Sequence, residues 1–463
     1  MPLRSLVTKL RETALTGELD ERSSRADRLL MRGAGRCSRA LVSSALAQRR
    51  GTPLLVVVPT LEEAGRWTAL LELMGWNQAS LYPTSEGSPY EPFDPTSEII
   101  WGQLQVLSDL LGDPDASSWA IVATERCLQP HLPPPDALKS TTRTLRKGDE
   151  VDLEELGETL AQLGYERVTT IEQEGSWSRR GDIVDIFPVS SELPVRLEFF
   201  GEELDKLREF DPASQRSLDA VDALRLTPTG FGPLVADQLR TLMPDGLERL
   251  LGDQATEQLL DGGTPEGMRR LMGLAWEQPA SLLDYIPDTT TIVIDERRHG
   301  VAHGQQWLAH VEEHHLEMAA EAGLNESERE QIWPAVLHRN IDAAYGLTEI
   351  FHGFDMAELL EDDQHPNSFD LASRPVPAYP NQFGKLGELI KGFQTERTAV
   401  WLISAQPSRA VALLEEHDCI SRFVPNAGDT NAISRLIEQN TPVALKVTGT
   451  AELEGLQLSL IHI

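Results

Sequence analysis

Six residues near the start of the chain have the glycine spacing of a phosphate-binding loop. The run GAGRCS at residues 33–38 places Gly33 and Gly35 directly before a predicted helix. A working loop of this kind also needs a Lys for the terminal phosphates and an adjacent Ser or Thr for Mg²⁺. Neither residue stands at that spacing here. The pattern therefore predicts a Gly-rich turn into a helix, and a degenerate nucleotide site.

Two carboxylates form the second candidate. Asp295 and Glu296 follow the apolar run TIVI at residues 291–294, and in a nucleotidase such a pair could hold Mg²⁺ and polarise water. The same pair is also typical of a strand end that leads into a helix, because carboxylates are stabilised near a helix N-terminus. Since no working phosphate loop accompanies them, we assign both residues to the degenerate nucleotide site and expect no catalysis.

A third candidate is a zinc site. The segment HVEEH at residues 310–314 matches the pattern H-x-x-E-H of inverted zinc peptidases, with His310, Glu313 and His314 in the matching positions. A third ligand would have to come from elsewhere in the chain. The surrounding residues 303–317 are polar enough to form a solvated helix face. We therefore predict no metal and no catalytic residues, and keep a zinc peptidase as an alternative function.

The elements that would position these groups begin with a parallel α/β sheet. LLVVV at residues 54–58 and AIVA at 120–123 have the composition of buried strands, and residues 61–74 have helical spacing. Strands separated by helices predict a parallel sheet. The Pro-rich run at 130–135 suits neither a helix nor a strand ladder. We therefore predict that residues 1–140 are the first part of a domain.

The pattern changes beyond residue 140. Short alternating strands with Gly and Pro between them predict a small inserted α+β domain at 141–217. Residues 218–345 are mostly helical, although the strand at 291–294 could rejoin the first sheet. Acidic residues followed by His-Pro-Asn predict a linker at 346–368, and a second, smaller α/β domain is expected at 369–457.

Composition limits the class of protein. A chain of 463 residues with 40% hydrophobic and 25% charged residues is expected to form three or four globular domains. The formal net charge of -32 repels phosphate backbones, which argues against nucleic acid as the main partner of these residues. The three cysteines are far apart, and neither a signal peptide nor a membrane span is found. We expect a cytoplasmic protein with reduced thiols and no membrane partner.

The most specific pattern lies in the inserted domain. Residues 175–188 read GSWSRRGDIVDIFP and residues 193–205 read LPVRLEFFGEELD. LGYERV at 163–168 and FDPASQRS at 210–217 extend this pattern. The run closely resembles the module through which the excision-repair helicase UvrB and the bacterial transcription-repair coupling factors (Mfd) bind UvrA. A match of this length is far more specific than a motif of three residues.

Other segments distinguish these two families. UvrB has an intact phosphate-binding loop and a Tyr-rich hairpin soon after it, and both are absent from this sequence. YPT at residues 82–84 and SPYEPF at 88–93 instead look like the corresponding coupling-factor region, and the Gly33 loop is similar to that family's inactivated nucleotide site. The resemblance extends from about residue 20 to Leu456, and we identify the chain with the coupling-factor family.

The resemblance implies a UvrB-like degenerate helicase-type domain without an ATPase, carrying an inserted UvrA-binding domain. Arg180, Arg196 and Phe200 match the UvrA-contacting residues of the family, with the two arginines the stronger assignments. The family's RNA-polymerase-binding domain and its ATP- and magnesium-dependent translocase on double-stranded DNA lie further along the parent chain. UvrA is therefore the partner expected here, with no cofactor. In the full-length family a C-terminal domain masks this surface.

Residue chemistry leaves some of these assignments open. Arg offers a planar fork for carboxylates and Phe an apolar anchor. Strand periodicity nevertheless allows Phe200 to be core while Arg196 is solvated, and Arg179 could replace Arg180.

Two further expectations remain. One alternative is a UvrB-type DNA-binding protein that uses the basic residues Lys139, Arg143, Arg146 and Lys147. The final residues, 458–463 (LSLIHI), are expected to be a non-native tail on a truncated chain.

Overall fold

The structure is a computed structural model that describes residues 2–24, 28–112, 118–359, 365–377, 379, 382–447, 453 and 456–457. The expected tail at 458–463 lies outside the described residues. Among the helices described, none combines the length and the apolar composition needed to cross a bilayer.

Seven parallel strands form the main sheet. In spatial order they are Ser368–Asp370, Leu29–Arg32, Gly353–Met356, Thr291–Asp295, Leu54–Val58, Trp119–Thr124 and Gln78–Leu81. The strand predicted at residues 291–294 pairs directly with Leu54–Val58, so the expectation that it rejoins the first sheet is confirmed. The protein is a mixed α/β fold built on this parallel sheet.

Both faces of the main sheet are covered, and its central strands are buried at every position. Val56 and Val293 face one buried cluster, to which helices near the start of the chain also contribute. Their neighbours Leu55 and Ile292 face the other cluster, to which the helical region after residue 230 contributes. A strand buried on both faces reads as a continuous apolar run, which is why LLVVV was recognisable in the sequence.

Helices connect and cover these strands. The α-helices of this body are Arg4–Arg11, Ala14–Ser23, Arg36–Arg50, Leu61–Leu71, Ser97–Gly112, Pro135–Thr141, Gly232–Leu242, Leu247–Leu251, Asp253–Leu260, Met272–Ala275, Arg297–Glu321, Glu326–Ile332 and Ile341–Gly346. Short 3-10 helices lie at Glu125–Leu128, Met268–Leu271, Leu282–Asp284 and Leu347–Ile350.

The inserted domain is a six-stranded sheet with one helix, Leu153–Gln162, on its inner face. In spatial order the strands of this insertion sheet are Ser217–Ala220, Glu203–Phe210, Val195–Phe200, Ile183–Phe187, Ser176–Arg180 and Glu166–Arg167. The pairs are antiparallel apart from the last, which is parallel. A separate two-stranded ladder joins Arg143–Arg146 to Ala223–Leu226.

A small α/β unit follows. Its three parallel strands are ordered Trp401–Ser404, Val443–Lys446 and Arg422–Phe423. Its helices are Phe383–Thr395, Pro407–Glu415 and Thr430–Glu438. Arg374–Pro375 pairs with Leu456–Gln457 in a short antiparallel ladder.

Three of the expected boundaries need correction. The small α/β domain starts later than residue 369, because Ser368–Asp370 pairs with Leu29–Arg32 in the main sheet. The interval 346–368, expected to be a linker, supplies the strand Gly353–Met356 inside the main sheet. That strand was missed because its four residues, GFDM, include a glycine and an aspartate. The inserted domain also continues past residue 217, since Leu224 and Leu226 belong to its buried core.

Candidate docking surface and degenerate nucleotide site

The two faces of the insertion sheet differ in burial. Val195, Leu197 and Phe199 alternate along one strand and are buried in the inner core with the helix Leu153–Gln162. The alternating residues Arg196, Glu198 and Phe200 therefore point to the outer face, as the strand period of two requires. All three expected UvrA-contacting residues belong to this outer face.

Arg180 and Arg196 converge on one buried carboxylate. Arg196 donates two hydrogen bonds to Asp185, from Nε to Oδ1 at 2.7 Å and from Nη2 to Oδ2 at 2.9 Å. Arg180 donates a third from Nη2 to Oδ2 at 3.1 Å. The Asp185 side chain is 1% exposed, against 16% for Arg196 and 58% for Arg180. Asp185 therefore orients both arginines, and only Arg180 presents most of its side chain to solvent.

Arg196 is held on its other sides as well. Its guanidinium lies 4.7 Å from the centre of the buried Phe210 ring, and Nη1 donates to the Gln215 carbonyl oxygen at 3.4 Å. The hydrogen bonds to Asp185 raise the pKa of Arg196 above its usual value. This arginine is therefore a fixed cation with a small exposed fraction.

Phe200 has the opposite environment. Its side chain is 83% exposed at the end of its strand. Gly201 follows it with a φ of +67° and starts the turn into the next strand. The alternative in which Phe200 is core and Arg196 is solvated is therefore wrong, since the phenyl ring is in solvent and the guanidinium is mostly covered.

Sequence reasoning missed one member of this surface. Ile183 is paired in register with Arg180 and with Glu198, and it is 38% exposed. Together Arg180, Ile183, Arg196 and Phe200 form what we call the docking face. Ile183 lies two residues before Asp185 in an alternating strand, and that spacing was a usable signal for its position.

Arg179 lies on the other side of the same strand. Its Nη1 atom is 2.7 Å from Oε1 of Glu154 in the inner-face helix. Because alternate residues of a strand point to opposite faces, Arg179 cannot replace Arg180 on the docking face. A fixed guanidinium, an exposed guanidinium and an exposed aromatic ring are the groups that dominate protein interfaces.

The Gly33 loop is closed by the protein itself. Gly33 has a φ of +74°, and a Cβ atom there would collide with the side chain of Asp370. The Gly33 carbonyl oxygen accepts a hydrogen bond from the Ser373 amide at 2.9 Å, and the hydroxyls of Ser38 and Ser373 are 2.6 Å apart. Gly35 precedes the helix Arg36–Arg50 and has no side chain to cap it. The segment after the edge strand therefore covers the loop on which a phosphate would lie.

A buried arginine of the chain itself pairs with Asp295 and Glu296. Arg39 is 3% exposed, and its Nη1 atom lies 3.1 Å from Oδ1 of Asp295 and in direct contact with Glu296. Trp67 donates from Nε1 to Oδ2 of Asp295 at 2.9 Å. Burial raises the pKa of Asp295 to about 7. An arginine thus occupies the place of a metal ion between the carboxylates, and these residues do not fit a magnesium nucleotide.

The zinc-peptidase pattern does not assemble a site. His310 and Glu313 are exposed, His314 is half-buried, and the two imidazole centres are 6.1 Å apart on the helix Arg297–Glu321. Within the described part of the chain, no group of three or more His, Cys, Asp or Glu side chains is arranged to hold a metal ion. A pair of histidines without a third ligand is not a zinc site.

The basic residues near the inserted domain are mostly solvated. Lys139, Arg146 and Lys147 are exposed, and Arg143 is half-buried with Nη1 3.8 Å from a carboxylate oxygen of Glu155. They lie on one short helix, one strand and the turn after it.

Comparisons with known proteins locate two families in the chain. The family model described as "UvrB interaction domain" matches residues 144–230, and "Cyanobacterial Mfd, Rossmann-like domain" matches residues 375–463. These ranges contain the insertion sheet with its docking face, and the small α/β unit.

Curated relatives match more than half of the chain. The transcription-repair-coupling factor of Bacillus subtilis is 28% identical over 58% of this chain and 24% of its own length. That of Escherichia coli is 28% identical over 58% of this chain and 23% of its own length. That of Mycobacterium tuberculosis is 31% identical, covering 56% and 22% respectively. The match spans about a quarter of the length of these relatives.

Proposed function

This chain is related to the transcription-repair-coupling factors and carries a UvrB interaction domain, and we propose that it acts in transcription-coupled excision repair by docking UvrA. One observation carries this proposal. The matched domain places Arg180, Arg196 and Phe200 on a single outer face, with Phe200 83% exposed and without an intramolecular role in the core. An apolar ring left in solvent on the same face as an oriented cation is typical of a binding surface.

The chemistry of the docking face defines the partner surface. Arg180 and Arg196 share the carboxylate of Asp185, and Glu198 on the same face lies 3.4 Å from Lys206, so about one excess positive charge remains and a carboxylate of UvrA is the matching group. The Phe200 ring and the half-exposed Ile183 require an apolar recess next to that carboxylate. The whole chain has a net charge of -32, so the small positive excess on this face favours one orientation of the approaching UvrA.

The same proposal assigns the main sheet a supporting role. With Arg39 between Asp295 and Glu296, the UvrB-like domain works without ATP or magnesium, as a scaffold that carries the docking domain. Contact with stalled RNA polymerase and double-stranded DNA, and ATP-driven translocation, belong to other parts of the parent protein. The proposed docking of UvrA takes place in the cytoplasm.

Binding of purified UvrA to the full chain tests the proposal. Phe200→Ala is expected to weaken binding by about 2 kcal/mol, roughly 30-fold, because the exposed ring has no role in the core. Arg180→Ala is expected to weaken it by about 1 kcal/mol, roughly fivefold, since its side chain is mostly exposed. Both substitutions are on the surface and leave the fold intact.

The chain offers a matched control for each variant. Arg179→Ala removes the neighbouring arginine from the opposite face, and Phe93→Ala removes a phenyl ring that is 65% exposed on the main body. Both controls should bind UvrA like the wild type. Equal affinity of Phe200→Ala, Phe93→Ala and the wild type would reject the docking face, and absence of binding by the wild-type chain would reject the function.

A further inference from the structure

The outer face of the insertion sheet continues beyond the docking face by one more arginine. Arg208, in the strand Glu203–Phe210, pairs in register with Arg196 on one side and with Ala220 on the other. Its neighbour Leu207 is buried in the inner core, so the strand period directs Arg208 to the outer face, where it is exposed. A third guanidinium therefore lies in the same row of the sheet as Arg196.

Arg196 and Arg208 are like charges in directly opposite positions of neighbouring strands. The Cβ atoms of such a pair are about 5 Å apart, and like charges at this separation destabilise a sheet. Asp185, on the other side of Arg196, already accepts two hydrogen bonds from Arg196 and one from Arg180. The carboxylate that organises the docking face is therefore fully used before Arg208 is reached.

Two other carboxylates of the sheet near Arg208 are bound to a different cation. Glu198 and Asp205 lie 3.4 Å and 3.3 Å from the same nitrogen, Nζ of Lys206. Within the part of the chain that the structure describes, Arg208 forms no ion pair and its guanidinium donates no hydrogen bond.

The remaining acidic residues around Arg208 lie at other positions of the ladder. Glu203 is in register with Phe200, five residues before Arg208 in the strand. Glu209 is in register with the buried Val195 and so points away from the outer face, as does Asp219, which is next to Ala220. Their charges act on Arg208 only at a distance, so its guanidinium keeps the capacity for a direct partner.

The free edge of the sheet leaves Arg208 accessible. Ala220, its partner in the edge strand Ser217–Ala220, carries only a methyl group, and all four residues of that strand are exposed. A protein lying over Phe200 and Arg196 can therefore reach the Arg208 guanidinium without displacing this strand.

We propose that Arg208 is a further docking residue, which pairs with a second carboxylate of UvrA beyond the one that faces Arg180 and Arg196. This role depends on the proposed docking of UvrA. A carboxylate placed beside Arg208 would neutralise one of two opposing like charges, so the contact gains the relief of that repulsion as well as the ion pair itself.

Two separate carboxylates are required because the cations are far apart. Arg180 and Arg208 are three strands apart in the insertion sheet. Strands are about 4.8 Å apart, so the Cα atoms of these arginines are separated by about 14 Å. Arg196, between them, directs Nε and Nη2 toward Asp185, on the side away from Arg208. The proposed contact therefore widens the docking surface toward the sheet edge.

Binding of purified UvrA to the full chain at about 0.15 M salt tests this role. Arg208→Gln should weaken binding by about five- to tenfold, because an uncompensated cation loses its partner. Lys206→Gln is the matched control, since it removes a cation of the same face and strand that Glu198 and Asp205 already compensate. The control should bind within about twofold of the wild type.

The double variant of Arg180→Ala and Arg208→Gln distinguishes two carboxylates from one. Effects of residues this far apart without a shared partner add in free energy, so the two fold-changes should multiply. A double variant that binds no more weakly than Arg180→Ala alone would mean that one carboxylate serves both arginines, and would overturn the proposal.

Thermal unfolding separates a docking role from a structural one. Arg208→Gln removes one of two opposing like charges, so it should unfold at the temperature of the wild type or above it. A lower unfolding temperature, or UvrA binding equal to that of Lys206→Gln, would overturn the role of Arg208 while docking through Phe200 stands. Absence of UvrA binding by the wild type would reject the docking function and this role with it. Binding of a DNA duplex that depends on Arg208 and is tighter than binding of UvrA would assign the guanidinium to a phosphate backbone instead.

Discussion

Asp185→Asn tests whether one buried carboxylate organises the docking face. The substitution keeps the shape of the side chain and removes the charge that Arg180 and Arg196 share at 2.7, 2.9 and 3.1 Å. A hydrogen bond to a charged group contributes about 1.5–3 kcal/mol, and removal of one partner of a buried pair costs about 3–5 kcal/mol. Asn keeps one acceptor oxygen, and both guanidinium groups can reach water, so we expect a loss near the lower end, about 2–3 kcal/mol.

Hydrogen exchange of the full chain measures this loss where it occurs. Amides of the strands Ile183–Phe187 and Val195–Phe200 should exchange roughly 30- to 100-fold faster in the variant, because each 1.4 kcal/mol is a factor of ten in the opening equilibrium. Amides of Leu54–Val58 in the main sheet should not change. Asp205→Asn is the control, since this carboxylate is 48% exposed and pairs with Lys206 of the same sheet.

The same variant connects stability to binding. If Asp185 positions the two arginines, Asp185→Asn weakens UvrA binding by roughly tenfold, although the carboxylate itself is too buried to touch a partner. The double variant with Arg196→Ala should then be no weaker than the more defective single variant, because both act through one contact. Unchanged exchange in Ile183–Phe187 would refute the reasoning, and additive losses in the double variant would show that the two residues act separately.

Two other buried charges give testable predictions. Glu125 is fully buried with neither carboxylate oxygen hydrogen-bonded, and burial raises its pKa from 4.5 to about 7. Because the pKa of this acid is raised in the folded chain, the free energy of unfolding of the wild type falls as pH rises between those values. In urea denaturation, the stability of Glu125→Gln relative to the wild type should therefore increase by up to about 3 kcal/mol between pH 5 and pH 8. Parallel pH profiles of the two proteins would contradict this. Arg39→Met should destabilise the chain by about 3–5 kcal/mol, because it leaves Asp295 and Glu296 without their cation; a loss below about 1 kcal/mol would show that the ion pairs are weak.

Part of the main sheet was predictable because its central strands have a distinctive apolar sequence pattern. Leu54–Val58, Trp119–Thr124 and Thr291–Asp295 are buried at every position, and a run of aliphatic residues is what such a strand requires. Leu29–Arg32 and Gly353–Met356 have four residues each, and their polar members make ion pairs or contacts that only the folded chain supplies. No local pattern distinguishes such strands from loops.

The docking face shows a different limit. The strand period predicts that Arg196 and Phe200 lie on one face of the sheet, and in the structure they do. Which end of that face is covered depends on loops distant in sequence. Ile171 and Phe210 form a small buried cluster beside Arg196, whereas nothing comparable covers Phe200. Exposure of the aromatic ring was therefore not readable from its own strand.

Contacts within the chain at the Gly33 loop and at Asp295 and Glu296 explain how the main sheet is stable without a ligand at this edge. A carboxylate pair at a strand end needs a cation nearby, and in a nucleotidase the metal ion supplies it. Here Arg39, from the helix after the Gly33 loop, supplies that charge permanently. Ser373 and Asp370 close the loop from the other side. The loop carries no lysine, and contacts within the chain occupy both places where a phosphate and a metal ion would lie, which fixes this edge of the main sheet.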